Sequence, residues 1–306
     1  MRILICCYYI MEAIKKYIKE KRNTLSPSSV TTYASILKNL YKRVFGDGEV
    51  DFKGFDDSHK VLAHLKDIPP NRRKTILSAL VIITNDKAYR DLMLDDVRQY
   101  NAEISKQVKS DGQRESWIDA PTVRAVWDEL RRDADLIYKK SMLKPSDLQQ
   151  IQSFVILSLL GGIFIPPRRS KDYVDFLIRD VDTSKDNYLE KNSKMVFNSY
   201  KTAKTYGQQT VDVPRPLASI LKKWISVNPT KTLLFDTNLN KLSAVKLNQR
   251  LNKIFGDKKI SVNQMRHTYL TDKYGDQIEK KKQIDNTMKD MGSSSDMLNT
   301  YVKIDD

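Results

Sequence analysis

The chain has 306 residues, of which 40% are hydrophobic and 30% charged. This length suits one large or two medium domains, and the apolar share excludes a wholly disordered chain. Lys and Arg total 53 against 38 Asp and Glu, which gives a formal net charge of +15. Such an excess favours a polyanionic partner, with nucleic acid ahead of an anionic membrane surface.

The cysteine and histidine content excludes several classes of site. Cys6 and Cys7 are adjacent and cannot build a disulfide framework, and the histidines (His59, His64 and His267) form no HExxH pattern. We therefore predict no metal site and an intracellular, reducing compartment. Because the sequence has neither a GxxxxGK[ST] loop nor a GxGxxG fingerprint, we predict no nucleotide cofactor.

The first eleven residues, MRILICCYYIM, are mostly apolar. The run is shorter than the roughly 20 residues of a membrane span and lacks a small-residue cleavage site. We therefore expect a packed terminal strand or the start of a helix, and no membrane partner. Met11 is an alternative start, which would make residues 1–11 an extra N-terminal segment.

Residues 1–108 are predicted to form a small, basic helical bundle. Ser26 is a suitable N-cap and Pro27 a suitable first helical residue, and Gly46 ends the apolar pattern that follows. Pro69-Pro70 interrupts the chain before a second helix. A third helix is expected to carry an apolar face of Leu94, Val97, Ile104 and Val108.

Basic turns are expected between these helices. The run Arg72, Arg73 and Lys74 is the clearest of them and supplies the candidate DNA contacts of this block. Residues 109–119 are polar and contain Gly112, so we predict an interdomain linker there.

Residues 120–306 are predicted to form a second, mixed domain. The segment 147–160 is apolar nearly all round, which is typical of a central buried helix. The segment 195–214 alternates, turns at Gly207 and predicts a β-hairpin. The predicted fold is therefore mainly α with a small β-hairpin or sheet, an α+β class.

One helical segment near the C-terminus has the composition of a phosphate site. Asn263, Arg266 and His267 share one helix face, because residues three and four apart are neighbours. The planar guanidinium of an arginine can bind a phosphate through two parallel hydrogen bonds. An arginine that stands alone in a sequence more often pairs with a carboxylate, so other residues are needed.

Further basic residues follow a defined order along the second domain. Arg168-Arg169-Ser170 comes after Pro166-Pro167, the hairpin carries Lys201 and Lys204, and MGSSSDMLNTY ends in Tyr301. This ordered set, together with Arg266-His267-Thr268, resembles the tyrosine recombinase (phage-type integrase) family. The resemblance covers both halves of the chain and implies a core-binding domain over residues 1–108 and a catalytic domain over residues 120–306.

The resemblance implies a role for each of these side chains. Tyr301 would be the nucleophile that forms a 3′-phosphotyrosyl link to DNA, and Arg168 and Arg266 would bind the non-bridging phosphate oxygens. Arg169 is the alternative to Arg168 in that role. Arg168 is preferred because the family's arginine is followed two residues later by a small residue, which is Ser170 in this sequence. Lys201 would be the general acid, with Lys204 as the alternative.

The sequence departs from the family pattern at two positions. Asn263 stands where the family usually has His, and Ser293 stands where it usually has His or Trp. Both can donate a hydrogen bond to a phosphate oxygen, but neither carries a protonic charge. His267 could compensate in part.

The implied function is a site-specific DNA recombinase or integrase of a virus or mobile element. It would act as a homotetramer on double-stranded DNA, with no metal, no cofactor and no small-molecule substrate. Two alternatives remain open: a type IB topoisomerase-like enzyme that uses the same chemistry, and a DNA-binding protein of recombinase descent that no longer cleaves.

Overall fold

The computed structural model describes residues 2–47, 50–191, 193–256 and 258–303, with side chains of the first helix from residue 10 onward. The chain divides into two compact units between Lys109 and Ser110. It is mainly helical and contains a small four-stranded mixed sheet, so the predicted α+β class is confirmed.

All the regular secondary structure described in the first unit is helical. Its helices are α1 (Arg2–Lys21), α2 (Pro27–Phe45), α3 (Ser58–Leu65), α4 (Pro70–Thr84) and α5 (Lys87–Ser105), with a 3₁₀ turn over Phe52–Asp56. The predicted start of α2 is confirmed, because Ser26 Oγ accepts a hydrogen bond from the Ser29 amide at 3.1 Å. Gly46 caps the other end, also as predicted.

Helix α5 packs differently from the prediction. Its buried residues are Tyr89 and Asp96, whereas Leu94 and Ile104 are exposed, and Val108 lies beyond its end. Tyr89 Oη donates a hydrogen bond to the Phe55 carbonyl at 2.7 Å. Leu92 and Met93 of α5 pack against the apolar core of this unit together with Tyr89, so the predicted apolar face is wrong.

The second unit contains nine described helices and four strands. Its helices are α6 (Asp111–Glu115), α7 (Ala120–Ile137), α8 (Pro145–Leu160), α9 (Ser170–Val174), α10 (Ala203–Tyr206), α11 (Arg215–Val227), α12 (Ala244–Ile254), α13 (Val262–Asp290) and α14 (Leu298–Tyr301). Its strands are β1 (Phe176–Leu177), β2 (Asn187–Glu190), β3 (Lys194–Phe197) and β4 (Gln209–Asp212).

Helix α8 is the centre of the second unit, as its apolar pattern predicts. Every residue from Ile151 to Leu160 is buried. The polar members of this stretch have partners: Ser158 Oγ accepts from Trp127 Nε1 at 2.8 Å, and Gln152 bonds the backbone of Phe235 through both amide atoms. A buried polar side chain that is fully hydrogen-bonded avoids the cost of desolvation.

The sheet has the order β1-β2-β3-β4, with β1 and β2 parallel and the other pairs antiparallel. The predicted hairpin is confirmed, since Lys194 pairs with Asp212 and Phe197 with Gln209. Its connection, residues 198–208, is longer than a tight turn and includes α10. Asn187 Oδ1 accepts the amides of Asn198 and Ser199, which fixes the start of this connection.

The segment predicted as a linker is structured. Ser110 and Gln113 form a capping box at the start of α6. Ile118 is buried in the core of the second unit, and its carbonyl accepts a hydrogen bond from Thr268 Oγ1 at 2.6 Å. Residues from Ser110 onward therefore pack as part of the second unit.

Helix α1 runs through the apolar N-terminal segment, and its residues Ile14 and Ile18 are buried. None of the described helices, α1 included, is long and apolar enough to cross a membrane.

Candidate functional site

Three arginines line one open pocket of about 380 Å³ in the second unit. Arg168 and Arg169 come from the segment that links α8 to α9, and Arg266 comes from the second turn of α13. The β3–β4 hairpin completes the wall with Tyr200, Thr202, Tyr206 and Gln209. We call this cavity the arginine pocket.

Contacts on three sides orient Arg168. Its Nε donates to Asp172 Oδ2 at 2.9 Å, and its Nη1 donates to Gln209 Oε1 at 3.0 Å. The guanidinium carbon lies 4.0 Å from the centroid of the Phe197 ring, a distance at which a cation is attracted to an aromatic face. The side chain is therefore preorganised at the pocket wall.

Asp172 is a buried carboxylate behind Arg168. Burial raises its pKa, and the charge and hydrogen bond of Arg168 partly oppose that rise. Its second oxygen, Oδ1, is buried and has no hydrogen-bond partner among the described residues. Arg168 is thus tied to a carboxylate, whereas Arg169 and Arg266 form no ion pair with a carboxylate in the described ranges.

Helix α13 presents the predicted polar face around Arg266. Ser261 caps the helix by accepting from the Gln264 amide at 3.1 Å. Asn263 Nδ2 lies 3.1 Å from His267 Nε2, and Asn263 Oδ1 lies 3.5 Å from Arg266 Nη1. Arg266 lines the pocket, while Asn263 and His267 are exposed beside it.

A close backbone contact fixes α13 against the segment that carries Arg168. Gly162 has φ +70°, and a Cβ built there would lie 2.5 Å from Tyr269 Cδ2. Only glycine fits this conformation and this approach without strain. On the same helix, Met265 and Thr268 are buried, so the position of Arg266 depends on tight packing.

The two candidate general acids lie on the hairpin connection next to the pocket. Lys201 and Lys204 are exposed and stand outside the pocket lining, although Tyr200, Thr202 and Tyr206 contribute to it. Tyr200 Oη donates to the Gly207 carbonyl at 2.7 Å, which closes the connection on itself.

Tyr301 and Ser293 are not among the residues that line the arginine pocket. Helix α13 continues without a break for 29 residues, to Asp290. Ser293 follows it, and the Ser293 amide donates to the Met288 carbonyl at 2.8 Å. The segment that leads to Tyr301 contains a 3₁₀ turn, Ser295–Met297, and the single turn α14. Tyr301 ends that turn with 55% of its surface exposed.

Several pocket residues were missed by the sequence analysis. Asp172 follows Arg168 by only four residues, so a local ion pair could have been anticipated from the sequence. Gln209 and Tyr206 have no such local signal, because the long hairpin connection brings them to the pocket.

The basic run of the first unit lies in the first turns of α4, so its expected place in a turn between helices is wrong. Arg73 binds both carboxylate oxygens of buried Asp96, at 2.9 and 2.7 Å, and these hydrogen bonds raise the pKa of Arg73. Lys74 Nζ lies 3.0 Å from the centroid of the Tyr100 ring. Arg72 is exposed.

Within the part of the chain that the structure describes, no three His, Cys, Asp or Glu side chains are grouped to hold a metal ion. Neither a scan against protein-family models nor a search of curated proteins finds a match to this chain.

Proposed function

We propose that the protein is a DNA strand transferase that breaks and rejoins DNA through a covalent tyrosine link, as a site-specific recombinase or integrase does. The observation that carries the proposal is the arginine pocket, where Arg168, Arg169 and Arg266 meet from distant parts of the chain. Phosphate is the ligand that such an arrangement favours, because planar guanidinium groups match its oxygens. The net charge of +15 agrees with a DNA partner.

The proposed reaction exchanges one phosphate ester for another. The Tyr301 oxygen attacks the phosphorus and its proton passes to solvent water, a P–O bond to tyrosine forms, and the bond to the 5′-oxygen breaks. Lys201, or Lys204 in its place, gives a proton to the departing 5′-oxygen. Arg168 and Arg266 bind the non-bridging oxygens as negative charge develops on them.

Rejoining is the reverse reaction. A 5′-hydroxyl attacks the phosphotyrosyl phosphorus and releases the tyrosine, so the ester energy is retained and no nucleotide is consumed. A topoisomerase would return the same 5′ end, whereas a recombinase would accept the end of a second duplex. We favour the recombinase because the separate helical first unit suits the core-binding role that the resemblance implies.

The test is covalent capture of DNA. Purified protein is mixed with suicide duplexes whose cleaved 5′ end diffuses away, and a denaturing gel detects a protein–DNA adduct. The wild type should form the adduct, and Tyr301→Phe should bind DNA normally without forming it. Tyr206→Phe is the matched control, because Tyr206 lines the arginine pocket itself.

An adduct that persists in Tyr301→Phe and disappears in Tyr206→Phe would show that the nucleophile is misassigned. Tight binding without an adduct in the wild type would favour the second candidate, a DNA-binding protein that no longer cleaves. Two observations favour that candidate. Tyr301 is not among the pocket-lining residues, and Asn263 and Ser293 replace residues that are usual in the family.

A further inference from the structure

The second unit has another cavity, of about 540 Å³, which shares no lining residue with the arginine pocket. Its walls are the start of α8 (residues 145–150), the loop over residues 235–242 and one side of α12. Most of its lining surface is apolar. We call it the α12 pocket. Its size and its largely apolar wall are typical of sites that bind a ligand.

The charges around the α12 pocket are only partly balanced. Asp236 is the one acidic residue among the described lining residues, and Lys246 Nζ pairs with its Oδ2 at 2.5 Å. Arg250 and Lys253 line the pocket from the same helix, and neither forms an ion pair with a carboxylate in the described ranges. The pocket therefore offers two positive charges to an incoming group.

Arg250 is the more enclosed of these two cations. Its Nη2 donates to Gln149 Oε1, and its Nη1 donates to the Gln149 carbonyl at 3.3 Å, so both acceptors are uncharged. Burial lowers the pKa of Arg250, as expected of a cation that lacks a counter-ion. A guanidinium has five N–H donors, so Arg250 keeps donors for a carboxylate. An anionic ligand would compensate its partial desolvation.

A strained leucine lines the same pocket. Leu239 has φ +62° and is 51% exposed. Asp236 Oδ1 fixes its turn by accepting the amides of Asn238 and Asn240 at 2.9 and 3.0 Å. Asparagine, which stands on both sides, adopts this left-handed conformation at lower cost than leucine does. A leucine that is both strained and exposed does little for its own fold, which indicates contact with another molecule.

We propose that the α12 pocket binds a short segment of a separate partner protein, in which an apolar side chain lies next to Asp or Glu. The apolar side chain packs against Leu239 and Leu242, and the carboxylate binds Arg250. Charge complementarity identifies an acidic segment, because a basic one would meet two uncompensated cations. The apolar wall suits a peptide side chain better than a nucleic-acid backbone. This binding does not depend on the proposed strand-transfer reaction.

The test begins with a random library of 12-residue peptides displayed on phage and selected on the full-length chain. Selection takes place at high salt, because salt screens the attraction of exposed charges for any acidic peptide. Enriched peptides should carry Asp or Glu beside Leu, Ile or Phe. One enriched peptide is then synthesised in two forms, with its acidic residue and with the matching amide. Fluorescence anisotropy should show the amide form to bind about 10-fold more weakly.

Three variants locate the binding. Arg250→Met should weaken the acidic peptide by about 10-fold and remove the difference between the two forms. Leu239→Asn should weaken both forms while raising the midpoint of thermal unfolding, because asparagine relieves the strain. Loss of binding in a more stable protein is not a folding defect. Leu136→Asn is the matched control, since Leu136 is exposed on α7 outside this pocket, and it should bind both forms normally.

The opposite results would overturn the proposal. Enriched peptides without an acidic residue, or equal affinity of the wild type for both forms, would remove the role of Arg250. Binding that persists at full strength in both Arg250→Met and Leu239→Asn would place the peptide elsewhere on the chain. Analytical ultracentrifugation covers the remaining occupant: a wild-type dimer that Arg250→Met dissociates would identify a second copy and exclude a separate partner.

Discussion

Arg168 Nε lies 2.9 Å from Oδ2 of Asp172, while Oδ1 of the same carboxylate is buried without a hydrogen-bond partner among the described residues. The pair therefore orients the arginine and leaves part of a negative charge desolvated. Burying a carboxylate with incomplete hydrogen bonding is costly, and this cost depends on pH.

The first prediction concerns stability against pH. Because burial raises the pKa of Asp172, the folded state binds its proton more tightly than the unfolded state does. The stability that this group contributes is present below the unfolded pKa, about 3.9, and is lost as pH rises through the higher folded pKa. Asp172→Asn has no carboxyl group to titrate at this position, so its stability should not show this fall with rising pH.

Urea unfolding of both proteins at a series of pH values checks the prediction. The difference in unfolding free energy should move in favour of Asp172→Asn as pH rises above about 4 and then level off. A difference that is constant across this range would show that burial does not perturb the carboxyl group.

The second prediction concerns the general acid. Lys201→Ala should slow cleavage by about 10²- to 10⁴-fold, the range that proton donation contributes in enzymes. A substrate with sulfur in place of the departing 5′-oxygen should restore the rate, because a thiolate leaves without a proton. Lys204→Ala is the matched control and should cleave both substrates at the rate of the wild type. The reverse pattern would assign the role to Lys204.

The third prediction concerns the contact that sets the spacing of Arg168 and Arg266. Gly162→Ala adds backbone strain and forces Tyr269 and α13 to move. Gly207 also has a positive φ, but a Cβ there meets nothing within 4 Å, so Gly207→Ala reports the backbone strain alone.

Chemical unfolding should show Gly162→Ala to be the less stable variant by about 1–3 kcal/mol, the usual cost of overpacking. Its adduct formation should also fall, because Arg266 shifts with the helix. Equal stability of the two variants would mean that α13 can move without cost.

The fourth prediction separates two neighbouring arginines of α4. Arg72→Ala should change stability by less than about 0.5 kcal/mol and reduce the salt slope of DNA binding by about 1. Arg73→Ala leaves Asp96 buried and unpaired, so it should destabilise the protein by about 3 kcal/mol or more. Thermal unfolding and binding titrations at several salt concentrations measure both effects. A salt slope that does not change in Arg72→Ala would remove that residue from the DNA contacts.

Local patterns predicted the features that depend on neighbouring residues. The Ser26-Pro27 start of α2, the buried helix α8 and the β3–β4 hairpin are of this kind, because caps and apolar periodicity act within a few residues. The use of Arg73 inside the bundle was not predictable, since its partner Asp96 is 23 residues away.

In the candidate site, too, some residues were predictable from local patterns and others depend on distant parts of the chain. Arg168 and Arg266 were selected from the sequence, and both line the pocket. The bond between Arg168 and Gln209 spans 41 residues and depends on how the hairpin connection folds. The continuity of α13 was not foreseen either, because the length of a helix with few buried residues is not determined by apolar periodicity.

The contact between Gly162 and Tyr269 has a consequence for how the sequence can change. The backbone at Gly162 has φ +70°, and there is no room for a Cβ unless the Tyr269 ring moves. A side chain could be accepted at position 162 only together with a smaller side chain at position 269. Two positions that lie 107 residues apart in the chain should therefore change together or not at all.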